Sequence, residues 1–490
     1  MTTITTNDIR VKNAVNLRES LISTSLDNLS YLFIGGVLPW ENEELPPIPE
    51  NNFRTFYDVH DQMVAMKRIN ERDVYHMIPK VNYTSGLVYD IYRHDYSLTN
   101  RSNSGASNLY DAVFFVINSL NEVYVCLFNN NNKKSTVEPR SNSYVPFYTS
   151  DGYQWLKMYT LTTSMVAEHT TENFIPITDD ESHISVQGPV YTVVVESPGN
   201  NYTINPDGVV NRVLKYYCRI VGDGSGGVAT VTVRDGKIKE VKVVRPGTNY
   251  TYATLDFVKG RVYESLLDLD QNMNGLNPLG DGTFRSTCII APPNGWGTDL
   301  VRQLGGTRLG IFSDLNYHLL DFVFESSFRQ IGILQNPLSD SRFPEEFDTL
   351  SACFAIATTH VSGPDRYIIG ETIIQEVQEG NGQIQIAKGQ VIGYDENAEI
   401  VKFIQIPSLH THTDGELYRF TGVRPIVGED SQKIASARPE NGYLEGQTFV
   451  DGFSAPEFKK YSGILTYLTN IVPVTRQESQ SERISLIISY

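Results

Sequence analysis

Two apolar segments near the end of the chain determine the predicted architecture. Residues 463–468 carry apolar side chains at alternating positions, residues 482–490 are rich in Ile and Leu, and a short polar loop separates the two segments. This pattern predicts two β-strands, which would promote aggregation if they were left exposed. We therefore expect both strands to pair and to be buried, with the apolar segment 328–338 as the natural partner. The chain would then close its core with its C-terminal strands.

Apolar spacing elsewhere predicts short helices and strands in alternation. Helical elements show apolar residues on one face, whereas strands show β-branched or aromatic runs bounded by turn residues. The run Leu45-Pro46-Pro47-Ile48-Pro49 predicts a stiff loop, because proline fits the interior of neither element. The predicted elements are helices over 8–23 and 53–69, and strands over 31–36, 74–81, 87–92, 112–117, 123–128 and 153–159. The runs 112–117 and 123–128 form a predicted hairpin.

An internal echo marks the middle of the chain. The segment Pro198-Gly199-Asn200-Asn201-Tyr202-Thr203 returns as Pro246-Gly247-Thr248-Asn249-Tyr250-Thr251, and such self-similarity indicates a repeated unit. Between the copies, an Asp-Gly turn at 235–236 flanked by alternating Val and Ile predicts a hairpin. We interpret 187–258 as a small inserted all-β module, and 365–453, with its series of short strands, as a second one.

The expected fold is mainly β with some α, in several domains, because 490 residues exceed what one core accommodates. The core would consist of antiparallel strands closed by the C-terminal strands. The predicted parts are 1–186 (N-terminal part of the core), 187–258 (inserted β module), 259–364 (core continued), 365–453 (second inserted β module) and 454–490 (closing strands).

Composition narrows the classes of function. The chain has 57 acidic and 40 basic residues, a net charge of −17, which argues against a nucleic-acid binder because phosphates attract a basic surface. The 28 Tyr and 22 Phe favour strands and wet protein–protein contacts. Four scattered cysteines without a CxxC pair are typical of buried thiols in a reducing compartment. The polar N-terminus and the short apolar runs predict neither a signal peptide nor a membrane span, so we expect synthesis in a cytoplasm.

Candidate catalytic residues do not form a recognisable constellation. The spacing of His410 and His412 predicts two imidazoles on one side of a strand, which could begin a metal site, but no third ligand is evident, and an exposed pair in a loop is the alternative. The acidic runs 179–181 and 429–430 could supply paired carboxylates or belong to solvated loops. The glycine-rich run 222–227 lacks the lysine and the following helix of a phosphate loop. We therefore expect no enzyme activity, no cofactor, and no catalytic, cofactor-binding or metal-binding residues.

Four stretches carry a resemblance to a known family. They are Phe33-Ile34-Gly35-Gly36 with Pro39-Trp40; Asp151-Gly152-Tyr153-Gln154-Trp155; Phe328-Arg329-Gln330-Ile331 with Asn336-Pro337-Leu338; and Ser462-Gly463 with Tyr467, Asn470, Pro473 and Gln480-Ser481-Glu482. In this order they resemble the baseplate wedge protein, gene product eight, of T-even-like contractile-tailed bacteriophages. The segments 187–258 and 365–453 are expansions relative to that family, and they resemble small β modules of phage structural proteins.

The resemblance implies a structural role in the virion. The chain would be a subunit of the six-fold tail baseplate wedge, an expected homodimer that contacts other wedge proteins and moves when sheath contraction is triggered. It would contact neither nucleic acid nor a membrane. Two alternatives stay open: a receptor- or polysaccharide-binding tail protein, which needs an aromatic groove with facing carboxylates, and a module stabilised by a metal at His410 and His412.

Overall fold

The structure is a computed structural model that describes residues 6–25, 28–178, 187–202, 214–278, 280–316, 326–338, 348–378, 382, 384–476 and 480–490. Strands hold 41% of the chain and helices 12%, which confirms the mainly β, multidomain fold with antiparallel sheets. The chain divides into two compact units. Unit 1 comprises Met1–Ala14, Tyr75–Leu309 and Ile488–Tyr490, and unit 2 comprises Val15–Val74 and Gly310–Ile487. The five predicted domain parts stay predictions.

Helices are few and short. The described residues contain α1 (Asn7–Leu21), α2 (Phe53–Gln62), α3 (Thr163–His169), α4 (Leu266–Gln271), α5 (Leu300–Leu304) and α6 (Pro407–His410). Polar caps start several of them; the Asn52 side chain, for example, accepts a hydrogen bond from Thr55 N at the start of α2 (2.8 Å). None of the helices in the described ranges is long and apolar enough to cross a membrane.

Strands make up most of both units. The first fifteen are β1 (Ser30–Gly35), β2 (Ala65–Arg68), β3 (Val74–Pro79), β4 (Phe115–Ile117), β5 (Glu122–Asn129), β6 (Phe147–Tyr148), β7 (Tyr153–Thr160), β8 (Phe174–Pro176), β9 (Val190–Ser197), β10 (Leu214–Gly222), β11 (Val228–Arg234), β12 (Lys237–Arg245), β13 (Ala253–Leu255), β14 (Val262–Tyr263) and β15 (Arg285–Ile290). The others are β16 (Arg308–Asn316), β17 (Ser327–Gln335), β18 (Thr349–Ser351), β19 (Phe354–Ser362), β20 (Thr372–Gln378), β21 (Ile384–Asp395), β22 (Ile400–Ile404), β23 (Ile426–Gly428), β24 (Ile434–Ala437), β25 (Gly442–Leu444), β26 (Gln447–Phe449), β27 (Phe453–Ser454), β28 (Ile464–Thr475) and β29 (Ser481–Ser489).

A five-stranded antiparallel sheet organises one half of unit 2. Its order is β18-β2-β1-β17-β28, and β28 pairs with β17 along most of its length. The prediction that segment 328–338 pairs with a C-terminal strand is therefore confirmed. The backbones approach closely here, because a Cβ added at Gly332 would overlap the Phe33 ring and lie 2.6 Å from Tyr467 O.

The two C-terminal strands have different surroundings. Strand β29 lies next to β16 in a second sheet, where Ile484 and Leu486 are buried. Both strands stand at the edge of their sheets, but no side chain of β28, all of whose residues are described, is buried, and Ile464 is 61% exposed. The expectation that both strands are buried is therefore wrong for β28.

The other half of unit 2 contains a closed barrel of six antiparallel strands. The order is β22-β21-β20-β23-β24-β19, and pairing between β19 and β22 closes the ring. Strand β19 belongs to this barrel, although it ends before residue 365, where the second inserted β module was predicted to begin. Buried polar groups hold its turns: Glu371 Oε2 accepts a hydrogen bond from Ser431 N (2.8 Å), and Lys433 Nζ donates to Asp365 O (2.7 Å). Both side chains are almost inaccessible to solvent.

In unit 1, the echoed Pro-Gly segments form matching turns. Tyr202 and Tyr250 are both buried, and Asn201 and Asn249 adopt positive φ angles of 62° and 60°. The predicted hairpin between the copies is confirmed as β11 and β12, joined through Asp235 and Gly236. Thr203, the last residue of the first copy, lies outside the described residues.

A second echo under these turns was overlooked in the sequence. Asp223 of Gly222-Asp223-Gly224 accepts a hydrogen bond from Thr251 N (2.9 Å), and Asp281 of Gly280-Asp281-Gly282 accepts one from Asn200 N (3.1 Å). Hydrogen bonds from Thr251, first its hydroxyl and then its backbone N–H, lower the pKa of Asp223 to about 2. Each Pro-Gly turn is thus anchored by an aspartate located far away in the sequence.

Two predicted elements differ from the structure. The helix predicted over 53–69 ends at Gln62, because Met63 is extended and Val64 N donates to Ile34 O (2.9 Å), which leads the chain into β2. Residues 87–92 are not a strand. Their backbone N–H groups bond to scattered partners instead, with Asp90 N donating to Val113 O and Tyr92 N to Cys126 O.

We predict that the two echoed tyrosines differ in their contribution to stability. The Tyr250 hydroxyl donates to Ile220 O (2.8 Å) and accepts from Gly227 N (3.1 Å), whereas the Tyr202 hydroxyl has one long bond, from Phe284 N (3.4 Å). Tyr250→Phe leaves a buried donor and acceptor unpaired, so it should reduce the free energy of unfolding by about 1–3 kcal/mol. Tyr202→Phe is the matched control, with a smaller loss. Equal thermal unfolding midpoints of the two variants would contradict this account.

Candidate interaction surface and polar pocket

Three of the four stretches with the family resemblance meet in the five-stranded sheet of unit 2. Gln330 Nε2 on β17 donates a hydrogen bond to Asn470 Oδ1 on β28 (3.0 Å). Gly36, just after β1, has a φ of 71°, and an added Cβ there would lie 2.7 Å from the Gln330 side chain. A Cβ added at Gly463 would likewise lie only 2.8 Å from Gln335 O and 3.1 Å from Pro337 N. Residues far apart in the sequence therefore depend on one another sterically.

Arg329 on β17 ties this sheet to the loop after β1. Its guanidinium forms a two-pronged ion pair with Glu43, with Nε to Oε2 at 2.9 Å and Nη2 to Oε1 at 2.8 Å. Its Nη1 donates to Val37 O (3.2 Å). The hydrogen bond with Arg329 is the main reason why the pKa of Glu43 is lowered.

The same loop is also bound to the edge strand. Trp40 Nε1 donates to Ile471 O (3.3 Å), and Asn470 Nδ2 donates to Pro47 O (2.7 Å). Between these anchors the loop turns its apolar side chains to solvent, and Leu45 and Ile48 are 74% and 89% exposed. The Pro-rich run is therefore a fixed part of the surface of unit 2.

Helix α2 adds aromatic side chains close to the start of β28. Phe53 is 83% exposed, and the Tyr57 ring packs against the Tyr461 ring with centroids 5.7 Å apart. Tyr461 precedes β28 in the chain. We call the exposed side chains of Leu45, Ile48, Phe53, Tyr57, Ile464 and Val472 the edge-strand surface. Its exposed charges are mainly acidic, with Glu41, Glu44 and Glu50 in the loop.

Ionisable side chains meet between α2 and the segment before β28, where Asp61 is buried and Lys460 partly buried. The Tyr461 hydroxyl donates to Asp61 Oδ1 (2.5 Å), and burial raises the pKa of Asp61. Burial lowers the pKa of the neighbouring Lys460 to about 8, and its Nζ lies 5.5 Å from the centroid of the Phe354 ring. The hydrogen bond between Tyr461 and Asp61 joins the segment before β28 to α2, so these ionisable groups have a structural role.

The remaining stretch with the family resemblance, residues 151–155, lies in unit 1 and orders a loop. Asp151 Oδ2 accepts hydrogen bonds from Thr136 N (2.7 Å) and Ser135 Oγ (2.9 Å). The Tyr153 hydroxyl donates to Lys133 O (2.5 Å), and Trp155 is completely buried. In both units, side chains from the stretches with the family resemblance therefore form hydrogen bonds that position loop backbone.

Unit 1 also contains a polar pocket of about 290 Å³. Its walls come from four parts of the chain: the segment 90–96, the turn 101–103, the turn 128–132 and strand β9. The turn 128–132 contains the run Asn129-Asn130-Asn131-Asn132, which from sequence alone predicts a surface loop tip. The sequence signal that could have drawn attention to it is the run itself, because asparagine tolerates left-handed backbone better than other residues with a Cβ.

The two candidate metal ligands are not arranged as expected. His410 ends helix α6 and is buried, and its Nδ1 accepts a hydrogen bond from Ile406 N (2.8 Å). His412 is partly exposed and pairs with Asp414 (Nδ1 to Oδ2, 3.1 Å). The placement of both imidazoles on one side of a strand is therefore wrong. Within the described ranges, no three His, Cys, Asp or Glu side chains are grouped as metal ligands.

The other candidate groups serve structural purposes or cannot be described. Asp430 N donates to Glu371 Oε2 (3.0 Å), so the acidic pair at 429–430 lies in a barrel turn. The acidic run 179–181 lies outside the described residues. All four cysteines are buried free thiols, and burial raises the pKa of each.

Comparison with known proteins finds no match for this chain, either among models of protein families or among curated proteins.

We predict that His410 makes unit 2 sensitive to acid. Burial, assisted by Lys388, lowers the pKa of His410 to about 4, whereas an unfolded histidine titrates near 6.5. The unfolded chain thus binds this proton first, and stability present above pH 6.5 is lost as the pH falls towards 4. The loss should reach about 2 kcal/mol at pH 5.

The test compares unfolding free energies at pH 7.5 and pH 5. His410→Asn keeps an acceptor for Ile406 N but cannot titrate, so its stability should fall less than that of the wild type. His412→Asn is the matched control and should retain the full pH dependence. A wild-type loss that equals the loss of His410→Asn would exclude this role for His410.

Proposed function

We propose that this chain is a structural subunit of the baseplate wedge of a contractile phage tail. It would supply protein–protein contacts for baseplate assembly and for the conformational change that triggers sheath contraction. The observation that supports this most is that Gln330 lies against both Gly36 and Asn470, three residues that belong to three separate resemblance stretches. Motifs that depend on one another in one sheet are expected from a shared fold rather than from chance similarity.

The edge-strand surface supports the same proposal. Exposed apolar patches mark interaction sites, and the hydrogen bonds of Trp40 and Asn470 bring the loop with the exposed Ile48 next to the part of β28 with the exposed Val472. An edge strand also offers unpaired backbone groups to another chain. The loop beside β28 is held by Trp40, Asn470 and the Arg329–Glu43 pair. A surface ordered in advance loses little conformational entropy when it binds.

In this proposal the partners are a second copy of the chain, in a homodimer, and other baseplate wedge proteins. The protein would act in the virion after synthesis in the host cytoplasm. Its task is mechanical, with neither enzymatic activity nor a cofactor. A receptor- or polysaccharide-binding tail protein is the second candidate, and the polar pocket in unit 1 is the observation that favours it.

Size-exclusion chromatography with light scattering tests the assembly role. The purified chain should form a dimer and should shift into a larger complex when mixed with wedge proteins of the same phage. The double variant Ile48→Ser/Val472→Ser should weaken that complex at least about tenfold, because burying one such side chain contributes about 1.5–3 kcal/mol.

The matched control for this variant is Val423→Ser/Leu409→Ser, which changes two exposed apolar side chains of the barrel region and should leave the complex intact. A monomer that ignores the wedge proteins and binds cell-surface polysaccharide would contradict the assembly role. Equal weakening by both double variants would remove the edge-strand surface from the proposal.

A further inference from the structure

The polar pocket in unit 1 has the size of a site for one small molecule. Its volume of about 290 Å³ is close to the lower limit of about 300 Å³ for ligand pockets. Phe128 and Val194 supply apolar surface, whereas the other walls are mostly Asn, Ser and Arg side chains. A ligand for this site would be small and would present both an apolar face and many hydrogen-bonding groups.

One rim of the pocket is a turn of three consecutive asparagines. Asn130, Asn131 and Asn132 have φ angles of 51°, 57° and 61°, a left-handed conformation that asparagine adopts more readily than other residues with a Cβ. Asn129 holds the turn, because its Oδ1 accepts from Asn132 N (3.1 Å) and its Nδ2 donates to Asn132 Oδ1 (2.7 Å) and to Tyr89 O (2.9 Å). Asn130 Nδ2 donates to Asp151 O (2.9 Å). These hydrogen bonds order the turn that forms this rim of the pocket.

Asn131 is the one member of this turn whose amide points to no protein partner in the described chain. It is exposed and lines the pocket, as does Asn103 on the other rim. Each of these amides has two N–H donors and one carbonyl acceptor to offer. Both amides thus lie at the pocket and are available to a ligand.

Charges around the pocket do not favour an anion. The lining holds Arg93, Arg101 and Asp90, which give 2 − 1 = +1. Arg93 is buried and paired with two carboxylates outside the lining, with Nε donating to Asp95 Oδ1 (2.8 Å) and Nη2 to Glu196 Oε1 (3.0 Å), and these two bring the local sum to 2 − 3 = −1. The guanidinium of Arg101 donates to backbone oxygens, Nε to Leu98 O (3.4 Å) and Nη1 to Gly105 O (3.3 Å).

A metal cation fits no better. Both oxygens of Asp90 already accept hydrogen bonds, Oδ1 from Ser104 N (3.0 Å) and Oδ2 from Val113 N (2.9 Å). Asp90 is the one carboxylate among the lining residues, so a cation would depend on the neutral amide oxygens of Asn103 and Asn131, far fewer ligands than the roughly six to eight oxygens that Ca²⁺ takes.

We propose that this pocket binds one neutral saccharide unit. A sugar ring presents hydroxyls that both donate and accept, which suits the free amides of Asn103 and Asn131, and a C–H face, which suits Phe128 and Val194. This inference stands independently of the assembly role, because it concerns a different unit and different residues.

The experiment measures binding of neutral sugars to the purified full-length chain by saturation-transfer NMR. The panel is glucose, galactose, mannose, N-acetylglucosamine and N-acetylgalactosamine, with glucuronate as an anionic comparison. We expect saturable binding of at least one neutral sugar with a Kd of about 1 mM, and weaker binding of glucuronate than of glucose.

Two variants locate the binding. Asn131→Gly removes the amide and keeps the positive φ without steric cost, and Asn103→Ala removes the other amide; each should weaken binding about fivefold or more. Asn294→Gly, also at a positive φ (66°) in unit 1 but not in the pocket wall, is the matched control and should bind as the wild type does. Unchanged thermal midpoints confirm that the variants are folded.

The inference is overturned if no neutral sugar of the panel binds saturably, if glucuronate binds more tightly than glucose, or if Asn131→Gly and Asn103→Ala bind like the wild type.

Discussion

Strand β17 lies between β1 and β28, and its backbone is so close to both that side chains at several positions are excluded. Gly36, Gly332 and Gly463 stand where an added Cβ would meet a neighbouring strand or side chain. Protein interiors tolerate such overlap poorly, because they are packed as tightly as crystals. From the same strand, Arg329 holds the acidic loop through Glu43. The sheet and the exposed surface beside it therefore depend on a single constraint, the fit of β17 between its two neighbours.

Local patterns predicted individual elements of the fold well. The β11–β12 hairpin follows from Asp235-Gly236 and its alternating flanks, since turn chemistry and strand period act over a few residues. Pairing of β17 with β28 could also be predicted, because two long apolar strands require cover. The end of α2 at Gln62 could not, because it is decided by the hydrogen bond from Val64 N to Ile34 O, a contact between distant parts of the chain. Nor could the closure of the barrel by β19 and β22, which depends on strand order.

The candidate sites were largely beyond sequence reasoning. The pocket in unit 1 joins residues from the segments near 90, 101, 130 and 194, and no spacing rule connects them. His410 illustrates the converse, since two histidines at short spacing were expected on a strand, whereas one caps a helix and accepts from Ile406 N. The second Gly-Asp-Gly echo was visible in the sequence, and its meaning emerges only with its hydrogen bonds to the Pro-Gly turns.

The order of the strands in the central sheet has a consequence for synthesis. Strand β1 begins at Ser30, whereas its neighbour β17 begins at Ser327. At roughly 5–20 residues per second, a ribosome needs about 15–60 s to add the residues between them. Throughout that interval β1, with Leu32, Phe33 and Ile34, lacks its backbone partner β17. Unpaired apolar strands are prone to aggregate, so this sheet is exposed to aggregation until the ribosome has passed residue 335, and its completion comes late in synthesis.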